Sequence, residues 1–211
     1  MTTESIPTRL LVWHEQTDPT KLLRITDAIR RGDPLPPIEA MAIGHKFLVL
    51  DGAHRAQAHQ YCHRSEIRAR LHNPPLSAEV QGWSHSIPRD AAAKLAHLLL
   101  PVDALGQAEI VLHGVRRQVG TASQRPRDIF LACHRIARVA YAHGIRPLGP
   151  EFSNAPTIDA ATMTWRPPNV GTLWAIASSL GPLPATVTRF APILRHDAIG
   201  DSAMTPVTSA A

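Results

Sequence analysis

The sequence predicts an α/β fold built on a mixed β-sheet, because strand and helix patterns alternate through its first 75 residues. Helix punctuation agrees with this prediction: Asp18-Pro19 supplies an N-cap and a first-turn proline, and Gly32 supplies a stop. The chain has 211 residues, of which 44% are hydrophobic and 18% charged, so it is long and apolar enough to bury a core. We therefore expect one sizeable α/β domain followed by a smaller part.

The N-terminal domain is predicted to span residues 1–90. Apolar runs bounded by Gly, Pro or Asn predict its strands, and Leu22, Ile25 and Ile29 form the apolar face of its first helix. In chain order the predicted elements are a strand over 8–14, a helix from Asp18-Pro19 to Gly32, strands over 38–43 and 46–50 joined by a hairpin turn at Gly44-His45, a helix over 53–63, a strand over 67–72 and a further strand over 80–85.

The remainder, residues 91–197, is expected to be smaller and largely helical. Its longest helix is predicted from an apolar stripe that ends at a glycine. The predicted elements are a helix over 89–100, a hairpin over 109–120 turning at His113-Gly114, a helix over 126–143, a Pro-rich loop over 146–168 and a short helix capped by Asn169. Residues 198–211 are small and polar, and we expect a flexible tail there.

The charge balance points to an anionic partner. The formal net charge is +5, which suits a nucleotide, a phosphorylated metabolite or nucleic acid equally well. The basic residues are dispersed and form no run of five like charges, so the sequence lacks a basic nucleic-acid-binding tail. Charge alone does not choose among these partners.

The sequence also predicts a cytoplasmic protein with no membrane partner. Its two cysteines, Cys62 and Cys133, lie far apart and form neither a disulfide framework nor a CxxC pair. The N-terminal residues lack the basic and apolar regions of a signal peptide, and the longest apolar run, near residues 96–102, is too short to span a bilayer.

The segment that carries the most chemical information is Asp51-Gly52-Ala53-His54-Arg55. It lies between an apolar strand and a predicted helix, whose first turn offers free backbone N–H groups and a positive dipole end to an anion. Gly52 permits positive φ and close approach, Arg55 is a bidentate phosphate donor, and His54 is a second donor. Asp51 is suited to hold Mg²⁺ or to orient a hydroxyl group.

This segment resembles the phosphate-binding motif of the ParB N-terminal/sulfiredoxin-like fold. Residues 13–19 (WHEQTDP), Pro36-Pro37-Ile38 and Val49-Leu50 make the chain similar to the ParB-like free L-serine kinases of the SbnI and SerK type. Residues 183–190 (LPATVTRF) resemble that family's LPxGxTRH segment, with Ala185 in place of a usual glycine and Phe190 in place of a usual histidine. The resemblance covers residues 9–90 and, more weakly, 165–196.

The resemblance implies phosphoryl transfer from ATP or ADP to the hydroxyl of free L-serine, giving O-phospho-L-serine in a biosynthetic pathway. Glu15 matches the catalytic glutamate of the family, and Asp51 through Arg55 match its site for the transferred phosphate and Mg²⁺. The part spanning 91–197 would close over the substrate. Among the implied substrate-binding residues, besides Glu15, are Trp83, His85 and Arg189.

Three alternative interpretations have weaker support in the sequence. A ParB-type DNA-binding regulator would use the same fold to bind a nucleotide, but the region after residue 90 shows no clear helix-turn-helix. Sulfiredoxin-type reduction needs a cysteine close to the phosphate loop, and Cys62 lies well into the following helix, where it is expected to be buried. His59 and His63 share a helix face, but two ligands do not make a structural zinc site.

Overall fold

The computed structural model describes residues 3–101, 104–144, 146–147 and 160–190. The chain divides into two compact units. The first unit contains residues 1–12, 18–75 and 190–211, and the second contains residues 13–17 and 76–189. The expected tail, residues 198–211, lies outside the described residues, as does most of the predicted Pro-rich loop.

The first unit is a five-stranded sheet with two helices. Its elements, in chain order, are β1 (Thr3–Pro7), β2 (Leu11–Trp13, of which Trp13 is grouped with the second unit), α1 (Pro19–Arg31), β3 (Ile38–Ile43), β4 (Lys46–Asp51), α2 (Ala53–Tyr61) and β5 (Glu66–His72). The strand order is β1-β5-β3-β4-β2. Strand β3 pairs parallel with β5 and antiparallel with β4, so the mixed α/β sheet predicted from the sequence is confirmed.

Local signals in the sequence set the limits of α1. The Asp18 carboxylate accepts a hydrogen bond from the Lys21 backbone N–H at 2.7 Å, which caps the first turn. Gly32 ends the helix in the left-handed region with φ of 80°. Thr26 and Ile29 form its buried face. The predicted helix from Asp18-Pro19 to Gly32 is therefore confirmed.

Two strands of this sheet differ from the sequence prediction. Strand β1 was not predicted, because Ile6 is its only buried residue and the other residues show no apolar pattern. The strand predicted over residues 8–14 is shorter, since Thr8–Leu10 form a 3₁₀ turn. The Thr8 hydroxyl donates to the Arg64 carbonyl at 2.6 Å, and this long-range bond gives residue 8 a turn conformation.

The second unit holds a five-stranded antiparallel sheet in the order β10-β7-β11-β8-β9 and a separate two-stranded pair, β6 with β12. Its elements, in chain order, are β6 (Gln81–Gly82), β7 (Ser84–Pro88), α3 (Arg89–Lys94), β8 (Ala108–Leu112), β9 (Val115–Val119), α4 (Pro126–Ala142), β10 (Arg146–Pro147), β11 (Ala160–Trp165), α5 (Val170–Ser179) and β12 (Thr188–Arg189). The predicted hairpin at His113-Gly114 and the Asn169 cap, which accepts from the Thr172 N–H at 2.9 Å, are both confirmed.

The expectation of a smaller, largely helical C-terminal part is corrected by this sheet. Strand β11 falls in the segment interpreted as a Pro-rich loop, although Ala161, Met163 and Trp165 alternate as buried residues along it. It pairs with β7, about eighty residues earlier in the chain, and such a distant pairing leaves no local signal. Residues 84–88 thus belong to the five-stranded sheet of the second unit. A boundary between two functional parts of the chain at residue 90 stays a prediction.

Among the described residues, no helix is long and apolar enough to cross a bilayer.

Candidate functional site

The phosphate-loop segment forms a strand-to-helix turn in the first unit, as the sequence predicts. Strand β4 ends at Asp51, and Gly52 is the N-cap of α2 with φ of 93°. The Ala56 N–H donates to the Gly52 carbonyl at 2.9 Å and starts the helical hydrogen bonds. The backbone N–H groups of Ala53 and of the two residues after it come before this first helical hydrogen bond, so they have no acceptor within the helix. This turn therefore has the geometry of an anion-binding helix start.

Arg55 is folded back onto this turn. Its Nη2 donates to Asp51 Oδ2 at 3.0 Å, and the arginine side chain is 19% exposed whereas the aspartate is 66% exposed. A Cβ added to Gly52 would lie 2.7 Å from both Arg55 Nη2 and Ile38 Cγ2. The guanidinium can occupy this place only because residue 52 has no side chain. Arg55 Nε is buried and has no hydrogen-bond partner among the described residues.

One of the two ring nitrogens of His54 is already used in a hydrogen bond within the first unit. Its Nε2 accepts a hydrogen bond from the Asp18 backbone N–H at 2.9 Å, which ties the starts of α1 and α2 together. Burial, followed by the charge of Lys21, lowers the pKa of the His54 ring below its ordinary value. The ring is therefore neutral at pH 7 with its proton on Nδ1. Its role as a phosphate donor stays a prediction, and only Nδ1 can serve it.

The donors at this turn fit a magnesium–nucleotide complex. Mg²⁺ is commonly held in proteins by one or two carboxylates together with phosphate oxygens and water. Asp51 supplies one exposed carboxylate beside the helix start. Within the described part of the chain, no group of three or more His, Cys, Asp or Glu side chains is arranged to hold a metal by itself. A metal at Asp51 would thus depend on phosphate oxygens for the rest of its ligands.

Glu15 lies in the second unit, on a short segment bound to the residues after α5. The Gln16 N–H donates to the Leu183 carbonyl at 2.8 Å, and the Leu183 N–H donates to the His14 carbonyl at 2.7 Å. These two bonds form an isolated parallel bridge that fixes Glu15 against residues 183–189. We call residues 183–189 the carboxylate loop, because its N–H groups surround the Glu15 side chain.

The Glu15 carboxylate is held at both oxygens. Oε2 accepts from the Thr186 N–H at 3.2 Å, while Oε1 accepts from the Thr188 N–H and, at 2.5 Å, from the Thr188 hydroxyl. Burial raises the pKa of Glu15 from 4.5 to about 7, although these hydrogen bonds and one from the Val187 backbone act in the opposite direction. A carboxylate with a pKa near neutrality can take up a proton at pH 7 and release it again.

The carboxylate loop has one strained residue. Thr186 adopts φ of 62°, a left-handed conformation that glycine accepts easily and a β-branched residue does not. Counted from Leu183, the glycine of the LPxGxTRH pattern falls at Thr186 and not at Ala185, so the assignment of Ala185 to that glycine was wrong. The Tyr141 hydroxyl donates to the Ala185 carbonyl and supports the loop from α4.

His85, predicted to bind substrate, lies beneath this loop. Its ring has no exposed surface, and Nε2 lies 3.4 Å from the Thr186 carbonyl oxygen. Burial lowers the pKa of the ring, so His85 is neutral. The structure therefore places His85 against the strained residue, and its contact with a substrate stays a prediction.

Trp83 and Arg189 are brought together as a pair. The Arg189 guanidinium carbon lies 5.1 Å from the centroid of the Trp83 ring, within the range of a cation–π interaction. Arg189 lies opposite Gln81 in the β6–β12 pairing, and Trp83 directly follows β6 in the chain. Thr188, the neighbour of Arg189, binds Glu15. Glu15, Trp83 and Arg189 are thus organised by the same two-residue strand.

Among the residues at this site that were not singled out from the sequence are His14, Tyr141, Thr186 and Thr188. His14 and Thr188 lie inside the two stretches that carry the family resemblance, so that pattern contained a signal for them. Tyr141 lies in a helix whose apolar stripe predicts packing only, and no local signal distinguishes it.

No protein-family model matches the chain, and no curated protein is significantly similar to it. Solved structures do share its fold. SbnI with a C-terminal truncation, from Staphylococcus aureus, superposes with a TM-score of 0.73 at 15% identity, covering 89% of this chain and 81% of that one. A free serine kinase in complex with AMP gives a TM-score of 0.65 at 11% identity, covering 89% and 86%. A glutamate-to-alanine mutant of free serine kinase in complex with ADP gives 0.65 at 12% identity, covering 90% and 87%.

These comparisons confirm the predicted resemblance at the level of the fold. Similarity extends over both units, since it covers about nine-tenths of the chain. Identities of 11–15% show the fold alone.

Proposed function

We propose that this chain is a cytoplasmic small-molecule kinase that transfers a phosphoryl group from ATP or ADP to the hydroxyl of free L-serine, giving O-phospho-L-serine. The observation that carries the proposal is Glu15: a carboxylate that accepts hydrogen bonds from Thr186 and Thr188, with a pKa of about 7. The fold shared with structures described as free serine kinases, in complex with AMP and ADP, supports it.

The nucleotide phosphates are assigned to the turn from Asp51 to Arg55. The first-turn N–H groups of α2 and the guanidinium of Arg55 would hold the phosphate oxygens, and Asp51 would hold Mg²⁺. Mg²⁺, when bound, offsets negative charge on the phosphates. Since phosphoryl transfer depends mainly on positioning and charge stabilisation, this turn needs no nucleophile of its own.

Glu15 is assigned the role of general base. The serine hydroxyl would attack the terminal phosphorus of the nucleotide as its proton moves to the Glu15 carboxylate. The serine O–P bond forms while the P–O bond to the rest of the nucleotide breaks, so that the nucleotide leaves with one phosphate fewer. Arg189 would bind the substrate carboxylate, and Trp83, which stacks on Arg189 at 5.1 Å, would hold the guanidinium in place.

The alternatives find less support. Successive α-helices are separated by strands throughout the described residues, so the paired helices of a helix-turn-helix DNA reader are not found among them. Cys62 is half-buried at the far end of α2 from Gly52, with Sγ 3.8 Å from the Thr26 carbonyl, and it is not placed for sulfiredoxin-type reduction.

The test is to incubate the protein with ATP or ADP, Mg²⁺ and L-serine, and to look for phosphoserine by mass spectrometry. We expect Glu15→Gln to abolish turnover while nucleotide binding stays intact, and Arg55→Ala to weaken nucleotide binding itself. Glu66→Gln, at an exposed glutamate whose carboxylate accepts from the Ser5 hydroxyl, is the matched control. Absence of product with either nucleotide, together with salt-dependent DNA binding, would favour the regulator. Unchanged turnover in Glu15→Gln would remove Glu15 from the role of base.

A further inference from the structure

Behind Glu15 lies a buried pair of polar side chains to which the proposed chemistry assigns no role. Thr188 is 4% exposed and His14 is 5% exposed. His14 Nε2 lies 2.6 Å from Thr188 Oγ1, and Thr188 Oγ1 lies 2.5 Å from Glu15 Oε1. The three side chains thus form a continuous chain of short hydrogen bonds from the buried imidazole to the carboxylate.

Counting protons fixes the direction of these bonds. An ionised carboxylate can only accept, so the single proton of the Thr188 hydroxyl must be donated to Glu15 Oε1. The hydroxyl oxygen must then accept from His14, which requires a proton on Nε2 of that ring. While Glu15 is ionised, a proton on His14 Nε2 therefore directs the Thr188 hydroxyl proton towards Glu15.

We propose that Thr188 and His14 are positioning residues for Glu15, with the His14 Nε2–H orienting the Thr188 hydroxyl so that its proton is donated to Oε1. This inference rests on the proposed role of Glu15 as the base. Neither residue is assigned contact with the substrate or the nucleotide; both act through the carboxylate.

The same geometry assigns separate tasks to the two oxygens of Glu15. Oε1 accepts from both the backbone N–H and the hydroxyl of Thr188, which fills its two acceptor positions. Oε2 accepts the longer bond from the Thr186 N–H at 3.2 Å. The geometry therefore points to Oε2 as the oxygen that takes the proton of the acceptor hydroxyl.

A further titratable group among the described residues interacts with Glu15 and does not compete for this proton. Tyr141, on α4, has its pKa raised to about 12, mainly by burial and in part by the charge of Glu15. It stays neutral across the range in which Glu15 titrates, and its hydroxyl is donated to Ala185. His14 and Thr188 are thus the side chains through which the environment acts on Oε1.

The test uses the full chain labelled with ¹³C at glutamate carboxyl carbons, with the Glu15 signal assigned from its loss in Glu15→Gln. Thr188→Val keeps the backbone N–H but removes the hydroxyl, and we expect the Glu15 pKa to rise by about one unit, since a hydrogen bond to a charged group favours the ionised form. Thr188→Ser should restore the wild-type titration. Thr26→Val, which removes an equally buried threonine hydroxyl bonded to the Leu22 carbonyl, should leave the midpoint unchanged.

Turnover provides a second reading. At pH 7 the Thr188→Val protein should lose several-fold in kcat with little change in KM, because positioning acts on the base and not on substrate binding. Failure of the wild-type protein to make phosphoserine would refute the proposed function, while the titration would still decide the hydrogen-bond chain. An unchanged Glu15 midpoint in Thr188→Val would overturn this inference even in an active kinase.

One measurement needs no variant of the pair. In ¹⁵N-labelled wild-type protein at pH 8 to 9, where Glu15 is largely ionised, His14 should carry its proton on Nε2. An unprotonated Nε2 at that pH would show that the threonine proton is directed at His14, and the inference would be wrong.

Discussion

Gly52→Ala is the substitution that most directly tests the packing of the phosphate loop. Residue 52 combines φ of 93° with a space already occupied by other side chains. The new methyl carbon would lie 2.7 Å from Arg55 Nη2, 2.7 Å from Ile38 Cγ2 and 2.9 Å from Arg55 Nε. Ile38 is fully buried and has little room to move, so the guanidinium of Arg55 must leave its place beside Asp51.

Gly44→Ala is the matched control. Gly44 lies in the β3–β4 hairpin of the same unit with φ of 60°, and an added Cβ would have no heavy atom within 4 Å. Its cost is therefore that of the left-handed backbone alone, about 1–2 kcal/mol. Gly52→Ala carries that cost and adds overpacking, about 1–3 kcal/mol more. The displaced arginine should also weaken nucleotide binding at least tenfold, since a charge-assisted hydrogen bond contributes about 1.5–3 kcal/mol.

Both effects can be measured on the intact chain. Amide hydrogen exchange of Leu48 and Val49, buried residues of β4, reports the free energy of opening of the first unit, and calorimetric titration with ADP reports nucleotide binding. We expect Gly44→Ala to bind ADP like the wild-type protein. If Gly52→Ala also binds ADP normally and is no less stable than Gly44→Ala, then the close packing of Arg55 against Gly52 is not what forms the site.

Two further predictions follow from the pKa of Glu15, which is about 7 in the folded chain. Because the proposed base must be ionised to accept a proton, kcat/KM should rise with pH to a plateau with a midpoint near 7. A limb centred near 4.5 in the pH–rate profile would show that burial of Glu15 does not set the rate. The raised pKa also favours the protonated form in the folded state, so the stabilisation is complete below pH 4.5 and is lost as pH rises through 7. All four tryptophans lie in the second unit, so urea unfolding followed by tryptophan fluorescence should show stability falling over that range, and Glu15→Gln should weaken this dependence.

Features with local signals were predictable from the sequence. The cap of α1 at Asp18, the glycine stop at Gly32 and the turn at His113-Gly114 each depend on residues within a few positions of one another. Strands β1 and β11 depend instead on partners far along the chain. Strand β1 has one buried residue, and β11 alternates but was interpreted as a loop because proline-rich sequence surrounds it.

The candidate site divides in the same way. Residues 51–55 form a strand-to-helix turn whose glycine and charges are adjacent in sequence, so physical reasoning alone predicts an anion site there. Glu15 has no such local context, since its hydrogen-bond partner Thr186 lies 171 residues further along. Only the resemblance to a known family connected Glu15 with the carboxylate loop, and burial of the carboxylate, which raises its pKa, could not be inferred from the sequence.

The strain at Thr186 is the structural feature that connects this loop to chemistry. A threonine held at φ of 62° is disfavoured by about 1–2 kcal/mol and persists only where surrounding contacts determine the conformation. Here the contacts lie on both sides of the peptide: the Thr186 N–H donates to Glu15, and its carbonyl lies 3.4 Å from His85. Turning residue 186 out of this conformation would direct its N–H away from the carboxylate, and the next N–H groups with it. The loop therefore stores backbone strain at the residue whose orientation determines how Glu15 is held, and the proposed role of Glu15 as a base requires such fixed positioning.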